Sequence, residues 1–250
     1  MKKIFCCLLW ILILFCCTAC TGQDLINDKN TGEVYTGTPS EFRDGRYTVT
    51  ATYYNADGYK PCLRIDVHNG ILTKAEFTEI NAAGGSRTEA PEDYPKTLDT
   101  LYNTLISKLI RKQDKTKDII EGAETISEQF NLLTKTAVKL AQTGDQESDT
   151  VILPDTYSIT QTWEDNTTST LIVTFDETDT ITDCSYSNVD ATDALTESKM
   201  IFQIMTDNTT EANDLEPVQL DDDVILTEAL SLEHYNNTLA LLAAFRNNGY

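Results

Sequence analysis

Along the first half of the chain the spacing of apolar residues changes period once. Tyr47, Val49, Ala51 and Tyr53 alternate with Thr48, Thr50 and Thr52, the two-residue period of a half-buried strand. Leu63, Ile65 and Val67 repeat the alternation and run into Asn69-Gly70, a dipeptide that suits the type I′ turn of a tight hairpin. Ile71 to Ile80 is the returning strand. After a polar stretch from Asn81 to Tyr94, Leu98, Leu101, Tyr102, Leu105, Ile106 and Leu109 recur three and four apart and predict one face of a helix. Thr125 and Glu128 have capping-box spacing. A second helix is therefore expected to start near Thr125 and to bury Phe130, Leu133, Ala137, Val138 and Ala141.

Residues 155 to 245 follow the same plan. Tyr157, Ile159 and Thr160 match the first strand at an offset of 110 residues from Tyr47. Thr170 to Phe175 and Ile181 to Tyr186 reproduce the hairpin with Asp176 to Thr180 as a longer turn, and a helical stretch surrounds Leu195, Phe202 and Met205. At an offset of 105, Asp118-Ile119-Ile120 falls on Asp223-Val224-Ile225, and Glu128, Phe130 and Asn131 fall on Glu233, Tyr235 and Asn236. These matches predict an internal duplication. The expected architecture is α+β: a first unit over 44–142, a linker over 143–150 and a diverged second copy over 151–250, each an antiparallel sheet with helices packed on it. Units of about 95 residues are large enough for modest cores of their own.

The beginning of the chain carries a different pattern. Lys2 and Lys3 precede an uncharged apolar run, Ile4 to Phe15, too short for a bilayer span of about 20 residues but suited to an export signal over 1–19. Cys17-Thr18-Ala19-Cys20 resembles the lipobox of bacterial lipoproteins, with Cys17 where Leu is usual. The resemblance implies lipidation of Cys20 and anchorage in the lipid bilayer on the extracytoplasmic face of the cell membrane, since two acyl chains make a stable anchor. The alternative is an ordinary signal peptide cut nearby. Thr21 to Phe42 is polar, with Gly22, Gly32, Gly37 and Pro39. It reads as a flexible tether completing 20–43, with a reach of about 25 Å.

Charge narrows the partners. The chain has 19 basic and 40 acidic residues and a formal net charge of −21, which excludes nucleic acid, because phosphates demand a basic face. Residues 151–250 hold only two bases, Lys199 and Arg246. The run Asp221-Asp222-Asp223 reads as a solvated acidic loop rather than a calcium site. Of seven cysteines, Cys6, Cys7, Cys16 and Cys17 belong to the expected signal and Cys20 to the lipobox. Cys62 and Cys184 remain, too few for a disulfide framework or metal spacing. With His68 and His234 the only histidines, His-based catalysis has little to work with. An electron carrier or binding protein is favoured over a catalyst.

Asp44-Gly45-Arg46-Tyr47-Thr48-Val49, the hairpin, and Asp118-Ile119-Ile120-Glu121-Gly122-Ala123-Glu124-Thr125 resemble the FMN-binding domain family, found in membrane-anchored bacterial lipoproteins and electron-transfer complexes. The family's motif, Asp-x-x-Ser-Gly-Ala-Thr, ends on a Thr that accepts FMN through a phosphoester. Asp118, Gly122 and Ala123 match it, whereas Glu121 replaces the Ser and Glu124 the acceptor Thr. In the second copy Leu226, Thr227, Glu228 and Ala229 occupy the motif. A helix N-terminus attracts a phosphate, but two carboxylates there oppose it. At about 5 Å and an effective dielectric of 20, like charges repel by roughly 3 kcal/mol before screening. Thr125 and Ser127 are neighbouring hydroxyls out of the family's register. Covalent FMN is therefore not expected. The resemblance leaves non-covalent FMN held by Gly122, Ala123, Glu124, Thr125 and Ser127 and electron transfer to a redox partner protein at the membrane; Tyr53, Tyr54 and Tyr59 are either a wall for the ring or, as the residues alone favour, ordinary hairpin and core tyrosines. The alternative is a cofactor-free structural or ligand- or partner-binding lipoprotein that kept the fold.

Overall fold

The computed structural model describes residues 26–27, 34–35, 42–89, 95–113, 117–164, 166–189, 195–219 and 229–249. The expected signal, Cys20, most of the tether, Asp221 to Asp223 and the second copy's Leu226, Thr227 and Glu228 lie outside the described residues. The fold is α+β. Two short strands, β1 (Ile26–Asn27) and β2 (Val34–Tyr35), pair antiparallel within the stretch expected as tether.

The first unit is a meander of β3 (Gly45–Ala51), β4 (Tyr59–His68) and β5 (Ile71–Asn81), antiparallel throughout. The alternation read from the sequence sends Tyr47, Val49, Leu63, Ile65 and Phe77 to one face, all buried. Asn69 and Gly70 take φ of 53° and 71°, the paired left-handed conformation that a type I′ turn requires. Against this face pack α1 (Leu98–Lys112) and α2 (Glu124–Thr143). Phe77 joins them to the sheet, meeting Tyr102 of α1 and Phe130 of α2 edge to face at centroid distances of 4.9 and 5.2 Å. Phe42 is buried in the same core, and the Arg43 N–H donates to the Ala141 carbonyl at 2.7 Å. The last residues of the expected tether therefore belong to this unit.

The stretch expected as a linker is also structured. α2 runs to Thr143 and ends at Gly144, whose φ of 67° turns its N–H back onto the Leu140 carbonyl. Ser148–Val151 then forms β6, which pairs in parallel with β3 to give the order β5-β4-β3-β6. Ser148, Asp149 and Thr150 are exposed, so backbone hydrogen bonds rather than apolar burial carry this strand, and no periodicity announced it.

The second unit is β7 (Asp155–Thr162), β8 (Thr168–Phe175) and β9 (Ile181–Val189), again antiparallel, followed by α3 (Leu195–Ala212) and α4 (Ala229–Asn248). The order of three strands and two helices thus occurs twice. Phe130 and Tyr235, matched at the offset of 105, are both fully buried. Their neighbours Asn131 and Asn236 both reach back to loop carbonyls, of Asp118 at 3.2 Å and of Val218 at 3.1 Å.

Candidate functional site

The motif that resembles the flavin site lies at the start of α2. The Ala123 N–H donates to the Ile120 carbonyl at 2.9 Å, and Gly122 has a φ of 75°, a conformation that costs glycine little. The helix begins at Glu124 with Ala123 in the capping position and no side-chain cap. This corrects the expected capping box. Thr125 sits exposed in the first turn rather than ahead of it.

Glu124 takes over the capping of the turn. Its Oε1 accepts the Gly122 N–H at 2.8 Å. That bond, with a second from its own N–H, holds the carboxyl below the usual glutamate range. A negative charge at a helix N-terminus is favoured by the helix dipole, so the chain's own carboxylate already stands at the pole that would attract a phosphate. Ser127 is fully buried. Its Oγ accepts the Ile120 N–H at 3.1 Å and donates to the Ala123 carbonyl at 2.7 Å. That hydroxyl clamps the turn and is not presented to a ligand. Asp118, which matches the family motif, is bound through its carboxylate to Lys112 Nζ at 2.6 Å, and this bond lowers its pKa.

The three tyrosines proposed as a ring wall do not form one. Each carries a cation over its own ring: Arg246 lies 3.6 Å from the Tyr53 centroid, Lys60 4.5 Å from Tyr54 and Arg87 5.0 Å from Tyr59. Tyr54 also packs so closely on Gly249 that a Cβ there would come within 2.7 Å of its ring. The family resemblance offered Tyr54 to a flavin, against an ordinary structural role. The structure instead assigns it to the contact between the units, where its carbonyl accepts the Tyr157 hydroxyl at 2.7 Å.

A cleft of about 230 Å³ lined by Arg43, Asp44, Tyr47, Thr143, Gly144 and Glu147 opens at the other end of α2. A helix of 20 residues spans about 30 Å, so this cleft is not part of the motif. Among the described residues no group of His, Cys, Asp and Glu has the arrangement of a metal site. No helix among them is long and apolar enough to cross a membrane. Taken together, Gly122, Ala123, Glu124 and Ser127 form one self-satisfied turn, Thr125 stands outside it, and the residues present do not fit an FMN phosphate.

Sequence reading missed a buried acid. Glu79 on β5 is 2% exposed and accepts from the Tyr102 hydroxyl at 2.6 Å, Asn55 Nδ2 at 3.1 Å and Arg87 Nη1 at 3.3 Å. Arg87 Nη2 also meets Asp57 at 2.7 Å. Glu79 lies in the alternating register of the buried positions Ala75 and Phe77, and an acid at an inward strand position was the available signal. Its charge is balanced and its oxygens are filled, which marks a structural network.

No protein-family model matches the chain, and no curated protein matches it. Two solved structures are similar over part of its length. The crystal structure of the CPE2226 protein from Clostridium perfringens is 30% identical over 45% of this chain and 98% of that one, with a TM-score of 0.41. A solution structure of a protein from Clostridium thermocellum is 21% identical over 42% of this chain and 93% of that one, with a TM-score of 0.32. Neither name states a function.

Proposed function

We propose that this chain is a lipoprotein anchored outside the cell membrane through acylated Cys20, whose first unit works as a cofactor-free structural or partner-binding module on an FMN-type fold. One observation carries this reading: the Glu124 carboxylate bonds the Gly122 N–H at 2.8 Å and sets the chain's own negative charge at the helix start. A ligand phosphate would have to displace an ionised carboxylate and bring its own charge to the same pole. The electron-carrier reading therefore has the family motif in its favour but not the donors of the turn. The cation that each of the three tyrosine rings already carries adds support, since an isoalloxazine ring needs an apolar or aromatic wall.

The anchor rests on the sequence pattern around Cys20 and is tested separately. Cys20→Ala in the producing cell is expected to move the protein from the membrane fraction to the soluble fraction. Retention of the variant in the membrane would remove the anchor from the account. Intact mass of the processed protein is expected to show lipid on the wild type and no flavin. A flavin adduct at any residue would overturn the cofactor-free reading.

A further inference from the structure

The two units meet at a cage to which both contribute walls. Asp176 Oδ1 accepts the N–H groups of Thr178 at 2.8 Å and Thr180 at 3.0 Å. This organises the turn between β8 and β9 and leaves Asp179 in the left-handed region at φ 66°. The Asp179 carboxylate then receives the Tyr53 hydroxyl of the first unit at 2.9 Å and the guanidinium of Arg246, from the last turn of α4. The guanidinium carbon lies 3.6 Å from the Tyr53 ring centroid and 3.8 Å from that of Phe175, with Tyr157 at 5.8 Å. Arg246 is only 6% exposed, and its Nε has no hydrogen-bond partner among the described residues.

We propose that this is an aromatic cage for a guanidinium, filled in cis by Arg246, and that the filled cage is the latch holding the two units in one orientation. The chemistry of the walls selects the occupant. A guanidinium is flat, weakly hydrated and able to stack on aromatic faces while its edge pairs with a carboxylate. A lysine ammonium is a compact, strongly hydrated charge and would leave those faces uncovered. Position adds a second argument, because Tyr53 belongs to the first unit while Phe175, Tyr157, Asp179 and Arg246 belong to the second. Without the cation, Tyr53 keeps one hydroxyl bond to a carboxylate that has lost its counter-charge. Among the described residues the other hydrogen bonds across the contact are Tyr54 N–H to the Arg246 carbonyl at 2.9 Å, Tyr157 to the Tyr54 carbonyl, and Ala56 N–H to Asp155 at 2.8 Å. All three rest on the loop that Tyr53 leads into.

The test uses the full chain with Arg246→Ala and reads proteinase K cleavage between β6 and β7 by mass spectrometry. The wild type is expected to resist, and the variant to be cut at least about tenfold faster. Methylguanidinium at millimolar concentration should restore resistance by refilling the cage, whereas methylammonium at the same ionic strength should not. Equal cleavage of variant and wild type would overturn the latch, and equal rescue by methylammonium would overturn the cage. Should Arg246→Ala not fold, Tyr53→Leu removes the first unit's wall and leaves Arg246 paired with Asp179. That variant should show the same gain in cleavage, and wild-type resistance in it would contradict the proposal.

Discussion

The carboxylate of Glu124 accepts the N–H of Gly122 at 2.8 Å, so the side chain at the motif's last position closes the turn that precedes it. This one bond explains why a sequence close to a flavin-acceptor motif is read as serving a structural end. It leads to a restoration experiment. Glu121→Ser with Glu124→Thr rebuilds the Asp-x-x-Ser-Gly-Ala-Thr pattern, removes both acids from the helix start and returns a hydroxyl to the acceptor position. Produced with a flavin transferase, the double variant is expected to gain one FMN by intact mass, while the wild type gains none. Absence of the adduct in a folded double variant would mean that more than these two residues separates the chain from the family's chemistry.

Glu79 gives a stability prediction. Its carboxylate is buried and holds Tyr102, Asn55 and Arg87 together. Removing one partner of a buried charge pair costs about 3–5 kcal/mol when the other is left uncompensated; Arg87 keeps Asp57 at 2.7 Å, so the lower end of that range applies. Glu79→Ala should destabilise by that order in urea unfolding. Tyr102→Phe removes one hydrogen bond to a charged group and should cost about 1.5–3 kcal/mol. A loss within about 0.5 kcal/mol for Glu79→Ala, the range of ordinary surface substitutions, would contradict the network.

Asp155 sets a pH dependence of definite sign. Burial pushes its carboxyl above the usual aspartate range, against the lowering effect of the Ala56 and Thr156 N–H groups that it accepts. An acid whose pKa is raised in the fold binds more protons folded than unfolded. Its contribution is therefore fully present below the unfolded value of about 3.9 and is lost as pH rises through the folded value. Asp155→Asn keeps an oxygen for the Ala56 N–H and removes the titration. The difference in Tm, variant minus wild type, should grow from pH 4 toward neutrality. A difference that stays constant or shrinks would show that the charge of Asp155 is not penalised.

Much of the first unit was legible because its core is written in period. Tyr47 and Val49, Leu63 and Ile65, and the helix stripe from Leu98 to Leu109 all bury as their spacing predicts, and Asn69-Gly70 turns as its φ freedom allows. β6 was not legible, since Ser148, Asp149 and Thr150 pair through their backbones and stay exposed. The start of α2 near Thr125 was legible, since the helix begins at Glu124, but the capping box was not: the capping position is Ala123, two residues before Thr125, and no side chain caps it. Tyr54 was offered to a ligand because a sequence does not say which rings already have partners. Arg246 was half legible. Arg246 stands out in the sequence as one of two bases in residues 151–250, but its aromatic walls come from both units and only folding brings them together.

The helix start bears its own anion, the Glu124 carboxylate, and a phosphate would bring a second negative charge to the same pole. Equilibrium titration of the purified full chain with FMN, followed by flavin fluorescence and by the absorption band near about 450 nm (a property of the flavin itself), tests it most directly. A colourless preparation with no saturable change is predicted, together with saturable binding once Glu121→Ser and Glu124→Thr are introduced. A yellow preparation, or saturable uptake by the wild type at micromolar FMN, would contradict the account.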